Sequence, residues 1–555
     1  MLAKSSSRFC ALSLVGFAVL VGHPARGEDI HTLRGTIVDA KTNKPIAARL
    51  YIQDEQGKSF HAKSAAADGS AVDYSKTRGP QSSEIHTTLS AHAFVAQLPS
   101  GKYNLTVERG KEYRTATASV DLTAGDGDVR VALSRWIDMS SLGWYSGETH
   151  VHRSTDELPT AMLADDLNVA LPLTHWVTRA YTPPSQGDKN SAAVAAELVK
   201  VDATHVIYPL NTEYEIFSVD GKRHTLGAIF ALNQKTVLTE GVPPVRKIAE
   251  QVHGEGALLE LDKHNWPWSM MLVPVMNVDL YELTNNHIWR TEFAFRTFGE
   301  SPAAYMNVEQ DDEGVTEQGW LDFTFQNYYA LLNCGFRLRP TAGTASGVHP
   351  VPLGFGRVYV HLPDGFSYEA WMKGLDAGRS FVTTGPMLVV TANDQPPGTT
   401  FGFPAPTPRK GLNFGTGAIA TLRIQGWSES EYQLSRIEVV GDGGAVAAIP
   451  PTNKKIAAGS YRSEFDVPVP FHGSGWLAVR CFEQLPNGRV RFAHTAPIHI
   501  DVADKPLRPR KAEAQYLVDR VQREIERNTG VLSDDALAEF RQALQAYKAI
   551  ATTAE

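Results

Sequence analysis

Two imidazoles and a carboxylate stand at alternate positions in Ser146-Gly147-Glu148-Thr149-His150-Val151-His152. Side chains two apart on an extended strand share a face, so Glu148, His150 and His152 are predicted to project together. Paired imidazoles backed by a carboxylate suit first-row metals, the acid setting the histidine tautomer and raising its basicity. A surface strand with two solvated histidines would show the same spacing. Four further groups favour the metal reading, though each singly would also suit a structural polar residue: His175 in PLTHW, Glu213 in VIYPLNTEYE, His264 in ALLELDKHNWPW and Glu282 in NVDLYELTNNH. Each follows an apolar run, as a metal site built at successive strand ends requires. Trp144, Trp176, Trp266, Trp268 and Trp289 lie beside these motifs. They suit either an aromatic-walled pocket for an apolar or sugar-like molecule or ordinary core packing.

The segment that must position these groups runs from Asp138 to about Met387. Apolar strand-like runs at Val169–Leu173, His205–Leu210 and Ala257–Leu261 alternate there with helix-like stretches at Ser191–Val199 and Val245–His253. That alternation predicts an α/β layer structure or barrel. Before it, Leu33–Val38, Ala48–Ile52, His92–Gln97 and Lys102–Glu108 read as short strands punctuated by turns, an antiparallel β-sandwich. After Pro386, runs at Met387–Thr391, Ala420–Ile424, Ser435–Val440, Trp476–Cys481 and Val490–His494 predict a second sandwich, with Asn393–Gly417 as a loop. Leu517, Val521 and Ile525 share a helical face, Gly530 is a stop, and Ser533 opens a second helix carrying Leu537, Phe540, Leu544 and Tyr547. This hairpin is predicted to pack on a neighbouring element, or to bind a partner.

Composition bounds the function. The chain has 555 residues, 43% hydrophobic and 21% charged, which excludes a disordered chain or a multispanning membrane protein. Acids outnumber bases 61 to 53, a net charge of −8, so nucleic-acid binding is not expected. Residues 1–27 have the layout of a secretory signal peptide: Lys4 and Arg8, an uncharged stretch from Phe9 to Gly22, then Ala25-Arg26-Gly27. Its removal would take three bases and no acid, leaving 50 against 61, a net −11. The protein is thus expected to be exported, periplasmic or secreted, with no membrane span. Of three cysteines, Cys334 and Cys481 remain outside that segment, too far apart for a local metal or redox motif. Nothing in the sequence sets the oligomeric state.

Two resemblances sharpen this reading. TNKPIAARLYI and LPSGKYNLTVERGKEY, within Ile30–Ser134, resemble carboxypeptidase-regulatory-like (transthyretin-like) modules, which implies a structural or docking domain without chemistry of its own. From Gly143 to Pro386 the chain resembles the PHP (polymerase and histidinol phosphatase) superfamily, more closely its CehA/McbA-like metallohydrolase branch. The resemblance rests on GETHVH, PLTHW, PLNTEYE, GKRHTLGAIF, DKHNWPW, ELTNNH, LLNCGFRLRPTAGTASG, PLGFGRVYV and AGRSFVTTGP, in that order. It implies a seven-stranded distorted (β/α) barrel with one to three metal ions at its strand ends. His150 and His152 would bind a first metal, Glu213 would bridge, His264 would bind a second and His175 would match a third-site ligand. The acid that normally precedes that ligand is replaced by Thr174. Where the family carries Gly-Ser-Asp-X-His, this chain has Gly343-Thr344-Ala345-Ser346-Gly347, with His349 as the nearest substitute. Losing an anionic ligand weakens the hold on a dication, so one or two ions, zinc or manganese, or none, are expected.

The implied reaction is hydrolysis of an ester, carbamate or phosphoester by a hydroxide formed on the metal. His264, His349 or Asp262 would pass the proton, and Arg357 would stabilise an oxyanion or else hold a strand-end salt bridge. The substrate would be a small molecule or carbohydrate-like. The competing expectation is a non-catalytic carbohydrate- or envelope-binding protein with a degenerate barrel, and a third is a scaffold using the C-terminal helices. The expected organisation is a signal peptide at 1–27, a β-sandwich at 28–137, a PHP-like (β/α)7 barrel at 138–386, a second sandwich at 387–504 and helices at 505–555.

Overall fold

Alternation of Tyr103, Leu105 and Val107 in the strand Lys102–Glu108 buries those three residues and leaves Lys102 and Asn104 exposed. This strand lies between Ala48–Asp54 and Ala116–Asp121, antiparallel to both. A second sheet places Ile30–Asp39 between Gly127–Leu133, parallel, and Phe94–Pro99, antiparallel. Leu33, Ile37, Leu50, Ile52 and Leu105 fill the space between the two sheets. The turn after Ile30–Asp39 follows from local chemistry: Asp39 accepts from the amides of Lys41 and Thr42 at 3.1 and 2.7 Å, and Asn43 takes φ 61°. The computed structural model describes residues 29–79, 82–187, 190, 192–293, 295–405, 419–442 and 444–555. The expected signal peptide and residues 406–417 of the expected loop lie outside these.

The central region is mixed α/β. All eight positions of Trp144–Val151 are buried, so the strand is covered on both faces. It pairs in parallel with Val169–Pro172 and antiparallel with Arg357–His361. The helix Tyr368–Asp376 packs so closely on it that a Cβ at Gly147 would lie 2.3 Å from the Trp371 ring. A second sheet runs in the order His175–Arg179, Thr212–Val219, Ala228–Leu232, Leu258–Leu261, Leu280–Thr284, Arg339–Ala342. The expected regular β/α alternation is interrupted here. Thr212–Val219 returns through a turn at Asp220 and Gly221, both at positive φ, so Ala228–Leu232 is antiparallel to both of its neighbours. The two sheets meet where Ala345 donates to the His150 carbonyl at 2.8 Å and His152 to that of Ser346 at 2.8 Å.

The helix expected at Ser191–Val199 is not formed: residues 192–198 are irregular and Val199–Lys200 is a short strand. None of residues 192–198 is fully buried; only Ala196 and Leu198 rest partly on the core, too narrow an apolar contact for propensity to sustain a helix. The second expected helix is present as Arg246–Gly254.

The expected boundary at Pro386 is not a break in the sheet. Ser380–Thr383 pairs with Arg357–His361 on one side and with Val490–Thr495 on the other, so one twelve-stranded sheet runs from the central region into the C-terminal sandwich. Met387–Ala392, Ala420–Ser430 and Tyr461–Phe471 form the opposing sheet. The expected helical hairpin is Lys511–Asn528 and Asp534–Ala551, with Gly530 at φ 79° between them and Ser533 accepting from the Ala536 amide. No helix among the described residues is long and apolar enough to cross a membrane. Cys334 and Cys481 are free thiols, each buried.

Candidate metal centre

His150 and His152 stand at the end of Trp144–Val151, and Glu213 is the second residue of Thr212–Val219. The Nε2 atoms of the two histidines lie 3.3 Å apart, and His152 Nε2 lies 3.3 Å from Glu213 Oε2. On its other side His150 Nδ1 is 2.9 Å from Glu282 Oε1. A neutral His150 that donates Nδ1–H to Glu282 presents its Nε2 lone pair to the group formed with His152 and Glu213. Ligand atoms about 2.1 Å from a tetrahedral ion lie roughly 3.4 Å apart, so the observed 3.3 Å separations fit a dication between them.

A second set adjoins it. Asp262 Oδ1 lies 3.9 Å from His150 Nδ1, and the donor atoms of His150, Asp262 and Glu282 all fall within 4.8 Å of one another. Burial, reinforced by the Asp262 charge, holds Glu282 well above the ordinary carboxylate range. Burial likewise pushes Glu260 up to about 8. Burial works in the same direction on Asp262, but the Lys263 ammonium paired with it overrides that and leaves it lowered. Glu282 and Asp262 share a hydrogen bond, which adds to the rise of the one and the lowering of the other. His150, Asp262 and Glu282 form a second group of donor atoms that could hold a cation, with Lys263 already paired to Asp262.

The His150, His152 and Glu213 group opens into a cavity of about 460 Å³. Trp176, Phe217, Trp266 and Phe295 are its aromatic walls, Arg78 and Lys263 its cations, and Glu215, Asn286, His287 and His349 further polar groups. Burial raises Glu215, while Lys263 at 3.8 Å opposes the shift. Burial, with the Arg78 charge next, pulls His349 down to about 2, so its ring is neutral. Asn286 Nδ2 lies 3.3 Å from His349 Nε2.

Several expected site residues lie elsewhere. His264 is fully buried, its ring among Tyr281, Trp320 and Phe323. Its amide donates to the Asp262 carbonyl at 3.1 Å, a tight turn that ends the strand alternation and leaves Asp262 in the cluster instead. His175 is neighbour to Trp176, which faces the cavity; alternation turns His175 away, and its Nδ1 lies 3.2 Å from Thr174 Oγ1. Glu148 does not back the histidines. The ladder shifts register between Glu148 and Val151, and Glu148 accepts instead from the amides of Thr344 and Gly354 at 2.8 and 2.6 Å. Glu282 takes the place behind His150. Arg357 is buried and donates to the carbonyls of Gly354, Asp165 and Asp166, so it braces loops; among the described residues it does not line the cavity and makes no salt bridge.

Of the tryptophans, Trp176 and Trp266 line the cavity. Trp144 and Trp268 are core, and Trp289 stands behind His349 at a ring separation of 5.6 Å. Ala345, at φ 51°, and Val348 also line the cavity. Glu215, His287 and Arg78 escaped the sequence reading. Glu215 was legible as the residue two beyond Glu213 on one strand, whereas Arg78 lies in the N-terminal sandwich and carries no local signal. Compared with known proteins, the chain matches no family model, and no curated protein is similar to it.

Proposed function

We propose that the protein is an exported metal-dependent hydrolase with a PHP-like barrel site, acting on an ester, carbamate or phosphoester of a small molecule. The observation that carries this reading is the convergence of His150, His152 and Glu213 at 3.3 Å spacings, with Glu282 behind His150, at the wall of a cavity of substrate size. His150, His152 and Glu213 would hold one ion of the zinc or manganese type, and Asp262 with Glu282 would supply the carboxylates of a second. A bound dication polarises the scissile carbonyl or phosphoryl group and lowers the pKa of water toward about 7. Glu215, raised by its burial and facing the cavity, is better suited to move a proton than His349, which is held too low. Trp176 and Trp266 would flank an apolar body and exclude water from it.

The non-catalytic binding reading draws on one observation: Ala345 and Gly347 supply no ligand where the resemblance places two. Elemental analysis of the purified full chain, loaded in turn with zinc, manganese and iron, separates the readings. The hydrolase requires at least one ion per chain. It also requires that His150→Ala and His152→Ala each lower turnover of chromogenic ester, carbamate or phosphoester substrates by about a hundredfold or more. A wild-type chain that takes up no ion and turns over none of these would leave the binding reading.

A further inference from the structure

The N-terminal sandwich reaches the candidate site. Tyr74, in the strand Ala71–Thr77, donates its hydroxyl to the His349 carbonyl at 2.5 Å and accepts from the Gly347 amide at 2.9 Å. The Arg153 guanidinium lies 3.7 Å over its ring. Nearby, Arg290 of the central region is 3.1 Å from both Glu84 and Glu108 of the sandwich, and Glu84 is fully buried. Such a docking fixes the next residues of the sandwich against the cavity. Arg78, one residue past the same strand, lines it, with its amide donating to the Ser82 carbonyl at 2.9 Å.

Two cations face the cavity and they differ in what they can do. Lys263 is already paired with Asp262 and lies 3.8 Å from Glu215. Arg78 is exposed, makes no salt bridge within 4 Å among the described residues, and feels Glu215 only through its charge. A guanidinium at the rim of a cavity with four aromatic walls, which the metal-ligand group also lines, presents five donors to a planar or tetrahedral oxyanion. The net charge of −8 gives no long-range attraction for anions, so recognition of one has to be local.

We propose that the N-terminal sandwich completes the binding chamber and that Arg78 holds a carboxylate, phosphate or sulfate group on the molecule bound there. This molecule would have an apolar body seated between Trp176 and Trp266 and an anionic group at the rim, remote from the bond presented to His150, His152 and Glu213. Calling it a substrate rests on the hydrolase reading; its binding by Arg78 does not. The sandwich is then a specificity element, where its resemblance implies only a structural or docking role.

The test is titration calorimetry of the full chain with benzoate, phenylphosphonate and neutral benzamide, on metal-loaded and chelator-treated protein. The chelated arm separates Arg78 from attraction to an ion. Arg78→Ala is expected to weaken both anions by about tenfold or more in both arms, Arg78→Lys to restore part of the loss, and benzamide to bind all three alike. Metal content and circular dichroism should match wild type. Tyr74→Phe, which keeps the ring and loses the hydroxyl, is expected to weaken the anions less than Arg78→Ala. Unchanged anion affinity in a folded Arg78→Ala variant, or failure of the wild type to bind either anion, would overturn the proposal. Absence of metal with the Arg78 effect intact would instead remove the hydrolase reading and leave this one.

Discussion

His150 is the residue on which both candidate ligand sets depend, one nitrogen facing His152 and Glu213 and the other facing Glu282 and Asp262. Glu282→Gln separates the two roles of that carboxyl. It keeps the shape but removes the charge that raises the basicity of His150, so ion affinity measured by chelator competition should fall about ten- to a hundredfold. The metal-free variant should melt no lower than wild type, because burial and Asp262 already disfavour the charged form of Glu282. A drop in melting temperature with unchanged ion affinity would mean that Glu282 is a packing residue only. At this scale the sequence was a good guide wherever strand geometry holds: alternation places His150 with His152. It fails at the register shift after Glu148 and at the turn through Asp262 and His264, because both break the period on which the reading depends.

Elements distant in sequence hold the cavity walls in place. Arg520, on the helix Lys511–Asn528, is fully buried and donates to the carbonyls of His264 and Trp266 at 3.0 and 2.7 Å. It thereby fixes the segment that sends Lys263 and Trp266 into the cavity. The helix was legible from the spacing of Leu517, Val521 and Ile525, but its task was not, since one of three arginines on an amphipathic helix reads as solvated. Arg520→Ala leaves the buried His264 carbonyl without a donor, the Trp266 carbonyl with only a long bond from the Ser269 amide at 3.3 Å, and a void behind them, which should cost about 2–4 kcal/mol in denaturant unfolding. Binding of the aromatic probe should weaken as well, because Trp266 loses its anchor. A surface arginine would give less than about 0.5 kcal/mol, and that result would show the helix to be a bystander.

Across the whole molecule, the twelve-stranded sheet ties the central region to the C-terminal sandwich, an arrangement hidden from the sequence because strand order is set by pairings more than a hundred residues apart. The junction carries a histidine that reports on it. His494, on Val490–Thr495, is opposite Val382 in the ladder and fully buried. Its Nδ1–H donates to the Thr495 carbonyl at 2.6 Å, and its Nε2 accepts from the Tyr329 hydroxyl at 2.8 Å. Both ring nitrogens are satisfied only in the neutral form, and burial pulls the pKa down from 6.5 to about 3. The folded state therefore binds fewer protons than the unfolded one between these values. The stability contributed by neutral His494 is complete above the unfolded pKa near 6.5 and is lost as pH falls toward about 3. The loss is about 1.4 kcal/mol per pH unit, or roughly 2 kcal/mol between pH 6.5 and 5. His494→Gln, which can accept from Tyr329 but cannot titrate, should lack this component. Denaturant unfolding at the two pH values should then show wild type losing about that much more than the variant, in a transition that central and C-terminal probes share because one sheet carries both. Parallel pH dependences in the two proteins, or separate transitions for the two regions, would contradict a titrating joint in a common sheet.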